Sequence, residues 1–178
     1  MRKVTRAALA LAGSAALIGV TTVPSFAATT SDTPVSVAVT GGVLAITAPG
    51  ATTLTAAVPG ATSTTALGDT VVTDTRAGQI GWVANVTLPI LTGTLPSASP
   101  KTIPTTTATY TAGTATKTGT VTVTAEAVIT DLATAKTSQT ATAVTGNNTA
   151  TWAASLAVPI PTDALADTFS GTMTQSVS

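Results

Sequence analysis

An all-β fold is what this chain predicts: an antiparallel β-sandwich, Ig-like or Greek-key in type, with about 8–10 strands. Three observations lead there. About a quarter of the 178 residues are Thr, which is β-branched and suits the solvent face of a sheet. Only 8% of residues are charged, so the i,i+4 ion pairs of a helical protein are nearly missing. Apolar and small polar residues alternate repeatedly between Gly-containing turns. A mean hydropathy of +0.47 with little charge separates the chain from disordered sequences, which are polar and highly charged.

In chain order, residues 35–40 alternate Val35, Val37 and Val39 with Ser36, Ala38 and Thr40. Gly41-Gly42 reads as a two-residue hairpin loop, and residues 43–47 as the return strand. Residues 62–67 and 71–75 read as two strands around Gly68-Asp69. Residues 92–107 hold Pro96, Pro100 and Pro104 and read as a long loop or edge segment. Residues 117–128 form a strand with Val121, Val123, Ala125 and Ala127 on one face. Residues 131–136 and 162–166 suggest short helical turns. Residues 140–144 read as a strand, Gly146-Asn147-Asn148 as a turn, and residues 169–177 as the last strand.

One element occurs twice. Residues 82–90 read W-V-A-N-V-T-L-P-I and residues 152–160 read W-A-A-S-L-A-V-P-I, 70 positions apart. Strand alternation puts Trp82, Ala84, Val86, Leu88 and Ile90 on one face, and Trp152, Ala154, Leu156, Val158 and Ile160 likewise. Pro89 and Pro159 remove ladder donors and end these strands or place them at an edge.

The N-terminus has the three parts of a secretory signal. Arg2, Lys3 and Arg6 are its basic region, residues 7–20 its apolar stretch, and Ser25-Phe26-Ala27 its small-x-small cleavage site. An apolar run of about 14 residues is short for a spanning helix of ~20. The expected organisation is a signal peptide over 1–27 and a single domain over 28–178, with no transmembrane segment after cleavage. There is no Cys, hence no lipidated cysteine and no disulfide, and no wall-sorting motif stands near Ser178. These features predict a secreted, extracellular protein of a Gram-positive bacterium, held at the surface, if at all, without a covalent tether.

Removing the three leader cations leaves four Lys and Arg against seven carboxylates, a net charge of −3. That excludes nucleic-acid binding through a basic patch. The chain has no His and no Cys, and it lacks a G-x-S-x-G elbow, a P-loop and a dinucleotide fingerprint. A non-enzyme without cofactor or metal is expected. A crosslink of Lys117 to Asn85 beside Glu126 is open on residue type alone.

Four residues are candidate ligand contacts. Trp82 and Trp152 are open to two readings, as platforms for a sugar ring or as core side chains on an apolar strand face. Asp74 and Arg76, in the stretch before the first Trp strand, are open to two as well: a ligand-binding pair, or a turn cap beside an Arg stem packed on apolar surface. Arg76 is the only Arg of residues 28–178, which suits a bidentate carboxylate or anion contact.

Residues 72–82, V-T-D-T-R-A-G-Q-I-G-W, resemble the V-T-D-x-R-x-x-x-x-G-W stretch of WxL-type surface proteins, closest to secreted actinobacterial members. The second Trp element and the ending T-F-S-G-T-M-T-Q-S-V over 168–177 are similar to theirs. Ala84 and Ala154 stand where the motif has Leu, and Phe169 where Tyr is usual. The resemblance implies a β-rich exported domain held non-covalently on peptidoglycan. The expected function is a secreted, non-catalytic module binding cell-wall peptidoglycan or another surface protein. The alternative is a structural or adhesive subunit that assembles through strand edges.

Overall fold

A computed structural model describes residues 30–95 and 102–178. The expected signal peptide lies outside these, as do Pro96 and Pro100. The chain divides into two units, Met1–Val37 and Ala38–Ser178. In the first, the described residues 30–37 are exposed and form no strand. The second unit holds every described strand and all of the core.

The fold is all-β and antiparallel, with no helix among the described residues. Its strands are β1 (Leu44–Thr47), β2 (Thr62–Asp74), β3 (Trp82–Thr87), β4 (Leu91–Gly93), β5 (Thr102–Ile103), β6 (Thr109–Ala112), β7 (Thr116–Ala125), β8 (Ile129–Thr130), β9 (Lys136–Pro159), β10 (Phe169–Ser170) and β11 (Thr174–Val177). The main sheet runs β1-β2-β9-β3-β11, with β6 and β7 also on β9 and β8 on β6. A small sheet of order β10-β4-β5 lies beside it in sequence.

Strand β9 organises everything else. Its first part, up to Ala141, pairs with β3, and its second part, from Asn148, pairs with β2. Strand β7 follows it on the other edge across both parts. One strand can serve two partners because it bends. Between Thr118 and Thr122 the β7–β9 ladder slips twice, leaving extra residues on β9. The bulged residues take positive φ: 50° at Ala143 and 71° at Gly146. Such bulges sharpen the twist and let a strand turn a corner. The buried positions show the same break, running 138, 139, 141, 144, 148, 150, 152, 154, 156, 158, with unbroken period two only from 148 onward. The main sheet thereby folds over until its two end strands, β1 and β11, come into contact without sharing a ladder.

Gly119 faces this corner from β7 with φ of 74°, and a side chain there would collide with the Asn147 carbonyl. Gly119→Ala is therefore expected to destabilise by about 2 kcal/mol or more, from left-handed strain plus the collision. Gly50→Ala, in open space with ordinary φ, should change stability by less than about 0.5 kcal/mol. Urea unfolding midpoints of the two variants check the contrast.

Several sequence expectations are corrected. Residues 35–40 are not a strand, and Gly41-Gly42 is not a hairpin. The Gly42 amide donates to the Thr75 carbonyl (2.7 Å) and the Thr75 amide to the Val43 carbonyl (2.9 Å), so the chain continues in line with β1 along the end of β2. Residues 62–67 and 71–75 are one strand, with a bulge between Leu67 and Thr70 that absorbs Gly68-Asp69. Gly146-Asn147-Asn148 is the bend inside β9. Residues 92–107 hold the end of β4 (Leu91–Gly93) and the whole of β5, which is an edge strand as the edge alternative had it. The last strand is two, because Gly171–Met173 carries the chain from the small sheet to the main one. The expected helical regions are turns at Leu132–Ala133 and Thr162–Asp163. Eleven described strands exceed the expected count, chiefly through two-residue pieces that sequence alternation cannot register.

Candidate functional site

Both Trp strands turn their Trp inward. Trp82, Ala84, Val86 and Leu88 are buried, as are Trp152, Ala154, Leu156 and Val158. The alternation fails only at the ends, where Ile90 is half exposed and Ile160 is intermediate. Each indole is 1% exposed, so neither offers a face to a sugar ring in this conformation. Each indole N–H finds an acceptor, as buried Trp requires. Trp82 Nε1 donates to Asn148 Oδ1 (3.2 Å) and Trp152 Nε1 to the Tyr110 hydroxyl (3.2 Å). Burial pushes Tyr110 above its ordinary value, against the smaller opposite effect of its contacts with Trp152 and Thr70.

Asp74 and Arg76 are brought together, but with each other. Arg76 Nε and Nη2 hold the two carboxylate oxygens of Asp74 at 2.9 Å each, the planar two-point contact that Arg makes best. The Arg76 amide also donates to Asp74 Oδ1 (3.0 Å), the turn cap that Asp favours. Arg76 Nη2 reaches the carbonyls of Ile80 (3.1 Å) and Gly81 (3.2 Å). Asn148 Nδ2 approaches Asp74 Oδ2 (3.4 Å), joining the pair to Trp82. The neighbouring Asn147 Oδ1 takes the Ala77 amide (3.1 Å). This network clamps the β2–β3 connection onto the corner of β9. The Asp74 carboxylate is almost fully buried and has no oxygen left for a ligand.

The Arg76 side chain holds Asp74 below the usual carboxylate range; burial opposes this, while the Arg76 amide and Asn148 add to it. The unfolded chain, with its ordinary pKa near 3.8, therefore takes up a proton first as pH falls. Asp74 contributes its full stabilisation above that ordinary value and loses it as pH drops through the lower folded value. Melting temperature should accordingly fall more steeply between about pH 5 and pH 2 in the native chain than in Asp74→Asn. Thermal melts across that range measure the difference.

A second feature lies at the other end of β1. An open cleft of about 850 Å³ is walled by the chain after β1, residues 48–56, and by the chain into β11, residues 167–175. Its floor is aliphatic: Leu67 of β2, Leu156 of β9, and Leu88 and Leu91 around β4. Leu54, Phe169 and Met173 are half-buried and pack against the same core. Past the end of β1, the Thr70 hydroxyl of β2 donates directly to Gln175 Oε1 of β11 (3.0 Å). The cleft is thus the place where the folded-over sheet has not closed.

Among the described residues of the cleft wall, Asp167 is the one that is ionisable. Its own desolvation raises its pKa, but hydrogen bonds outweigh this and leave it below the usual carboxylate range. They come from the Leu95 amide (3.0 Å), the Thr94 hydroxyl (2.7 Å) and the Thr168 amide (2.6 Å). A carboxylate so occupied is an anion at neutral pH and is poorly placed to exchange protons. No protein-family model, curated protein or solved structure matches this chain. The cleft's own chemistry is therefore what speaks to its use.

Among the described residues no three His, Cys, Asp or Glu side chains converge on a possible metal position, and no helix is long and apolar enough to cross a membrane. The residues of the suggested crosslink are apart: Lys117 faces Ala150 across the ladder, while Asn85 faces Thr137, thirteen positions earlier on β9. Asn85 Oδ1 instead accepts from the Thr137 hydroxyl. Sequence reasoning missed Asn148, Tyr110 and the cleft. The first two had a signal, since a buried indole needs an acceptor and Tyr110 is the only Tyr. The cleft had none, because its lining comes from five separated stretches.

Proposed function

We propose that this chain is an exported, non-catalytic surface module that holds peptidoglycan or another surface protein, through apolar and neutral hydrogen-bonding contacts, in the cleft between residues 48–56 and 167–175. The observation that carries the reading is the cleft's lining. It offers aliphatic contact and Thr, Ser and backbone groups for hydrogen bonding, and the one carboxylate among its described residues, Asp167, is tied down. Clefts of about 300–1,000 Å³ with an apolar floor and a few polar groups are the usual form of a ligand site. The resemblance of residues 72–82 and 168–177 to WxL-type proteins supports the wall as ligand, and export follows from the leader-like N-terminus. Of the four residues first singled out, all serve the fold in this reading.

Sedimentation with purified peptidoglycan tests it. Thr172 is exposed and lines the cleft, so Thr172→Arg should block the site without disturbing the fold. Retention of the native chain and release of Thr172→Arg, at equal melting temperature, is the expected result. Equal retention of both would move the wall site elsewhere. The second reading, assembly through strand edges, is supported by β1 and β11, each of which has one ladder partner among the described residues.

A further inference from the structure

Strand β7 has an open side. Among the described residues its ladder partner is β9 alone, which leaves the other edge of a 10-residue strand unpaired. Edges of this kind are usually guarded by charge, proline or bulges. Here the guards stand at one end. Lys117 is the strand's only charge, and the ladder to β9 slips on both sides of Thr120. Over residues 122–125 the ladder is regular, with Thr142, Ala141, Thr140 and Gln139 as partners. Residues 118–125 contain neither a charge nor a proline.

One hydrogen bond tells which backbone groups of this edge are free. The Glu126 amide donates to the Ser138 carbonyl (3.0 Å), in the same register as the ladder before it. Only alternate residues of an antiparallel strand bond a given neighbour. Thr122, Thr124 and Glu126 therefore direct their amide and carbonyl at β9, and Val121, Val123 and Ala125 direct theirs away. Side chains alternate too. Thr120, Thr122 and Thr124 are exposed, Val121 is buried, and Val123 and Ala125 are half-buried against the core.

We propose that β7 of a second copy of this chain pairs antiparallel with this edge, about a twofold axis at Val123. Residues 121–125 read V-T-V-T-A, nearly the same in either direction, which suits a partner of identical sequence. Val123 then bonds the partner's Val123, and Val121 the partner's Ala125, so every free group of the stretch is used. Thr122 stands opposite the partner's Thr124 in the closer pairs, about 4.5 Å between Cα atoms, where threonines support each other. Glu126 lies opposite the partner's Thr120, roughly 20 Å along the strand from the partner's Glu126. No like charges meet. Both copies offer the same edge, so the contact closes at two. A contact this short makes a concentration-dependent dimer, with a Kd on the order of micromolar or weaker. No β7 residue lines the cleft, so the pairing is independent of the proposed ligand site.

Charges at the two exposed threonines test the register. Thr122→Lys with Thr124→Lys sets like charges opposite each other; Thr122→Lys with Thr124→Glu sets opposite charges there. An axis at Thr122 would instead make position 122 face itself, and both variants would repel. The full chain is followed by sedimentation over a concentration series at low salt. The native chain is expected to form dimers and nothing larger. The double-lysine variant should dissociate at least about twofold more readily, and the lysine–glutamate variant at least about twofold less readily. Added salt should shrink both differences. Val123→Pro, which removes an outward amide and leaves the β9 ladder its donors, should weaken the dimer at least about tenfold.

A native chain monomeric at every concentration, or assemblies that grow past two, would overturn the proposal. So would charge variants that weaken the dimer alike or leave it unchanged. Thr172→Arg keeps the β7 edge and should dimerise as the native chain does. Loss of the dimer in that variant would put the contact at the cleft and overturn the pairing; an intact dimer with peptidoglycan still retained would remove the cleft as wall site and leave the pairing standing.

Discussion

Replacing Trp82 by Ala is expected to cost about 3–5 kcal/mol, the range for deleting a fully buried large aromatic side chain. Domains commonly have only about 5–15 kcal/mol to lose, so this change brings the chain close to unfolding at ambient temperature. Two effects combine. The indole fills space between β3 and the corner of β9, where Val72 and Val86 are fully buried too. Its N–H also holds Asn148 Oδ1, which in turn approaches Asp74. Trp82→Phe separates the effects: it keeps most of the packing and removes only the donor, for about 1–3 kcal/mol. Denaturant midpoints for the pair should show that order. A Trp82→Ala chain that melts like the native protein while losing ligand would show instead that the indole works as a binding surface.

Asp74→Ala is the second large effect, expected at about 2–4 kcal/mol. Removing the carboxylate leaves the Arg76 amide, both guanidinium contacts and one Asn148 hydrogen without their acceptor. The figure stays below that of a fully buried pair because 29% of the Arg76 side chain remains in water. The double change Asp74→Ala with Arg76→Ala should recover part of the loss, since it also removes the abandoned charge. A double-mutant cycle on unfolding free energies reads the coupling directly.

Local rules were legible wherever the chain obeys them for several residues. Trp82 to Leu88 and Trp152 to Val158 keep strict alternation, and both were readable as strands with one buried face. Asp74 and Arg76 stand two apart, so their mutual contact was available from the spacing of a turn. The failures share a cause. Gly68-Asp69 and Gly146-Asn147-Asn148 have the composition of turns, yet both lie inside strands because the ladder residues before and after them hold the strand extended and the extra residues escape as bulges. Val35 to Val39 have the composition of a strand and are not one, because composition supplies no partner. The cleft depends on how far the sheet folds over, which the bulges of β9 set and no local pattern reports.

The central place of β9 has a consequence for how the molecule comes into being. Thr62 pairs with Pro159 and Thr73 with Thr149, partners 97 and 76 positions apart. β2, β3, β6 and β7 all wait for this one late strand. Chains dominated by such distant pairings fold slowly, in about milliseconds to seconds, because loop closure precedes any reward. While the ribosome is still short of residue 136, the emerging polypeptide lacks the template on which its earlier strands assemble. Closure of the main sheet therefore waits on the last quarter of the chain to be made.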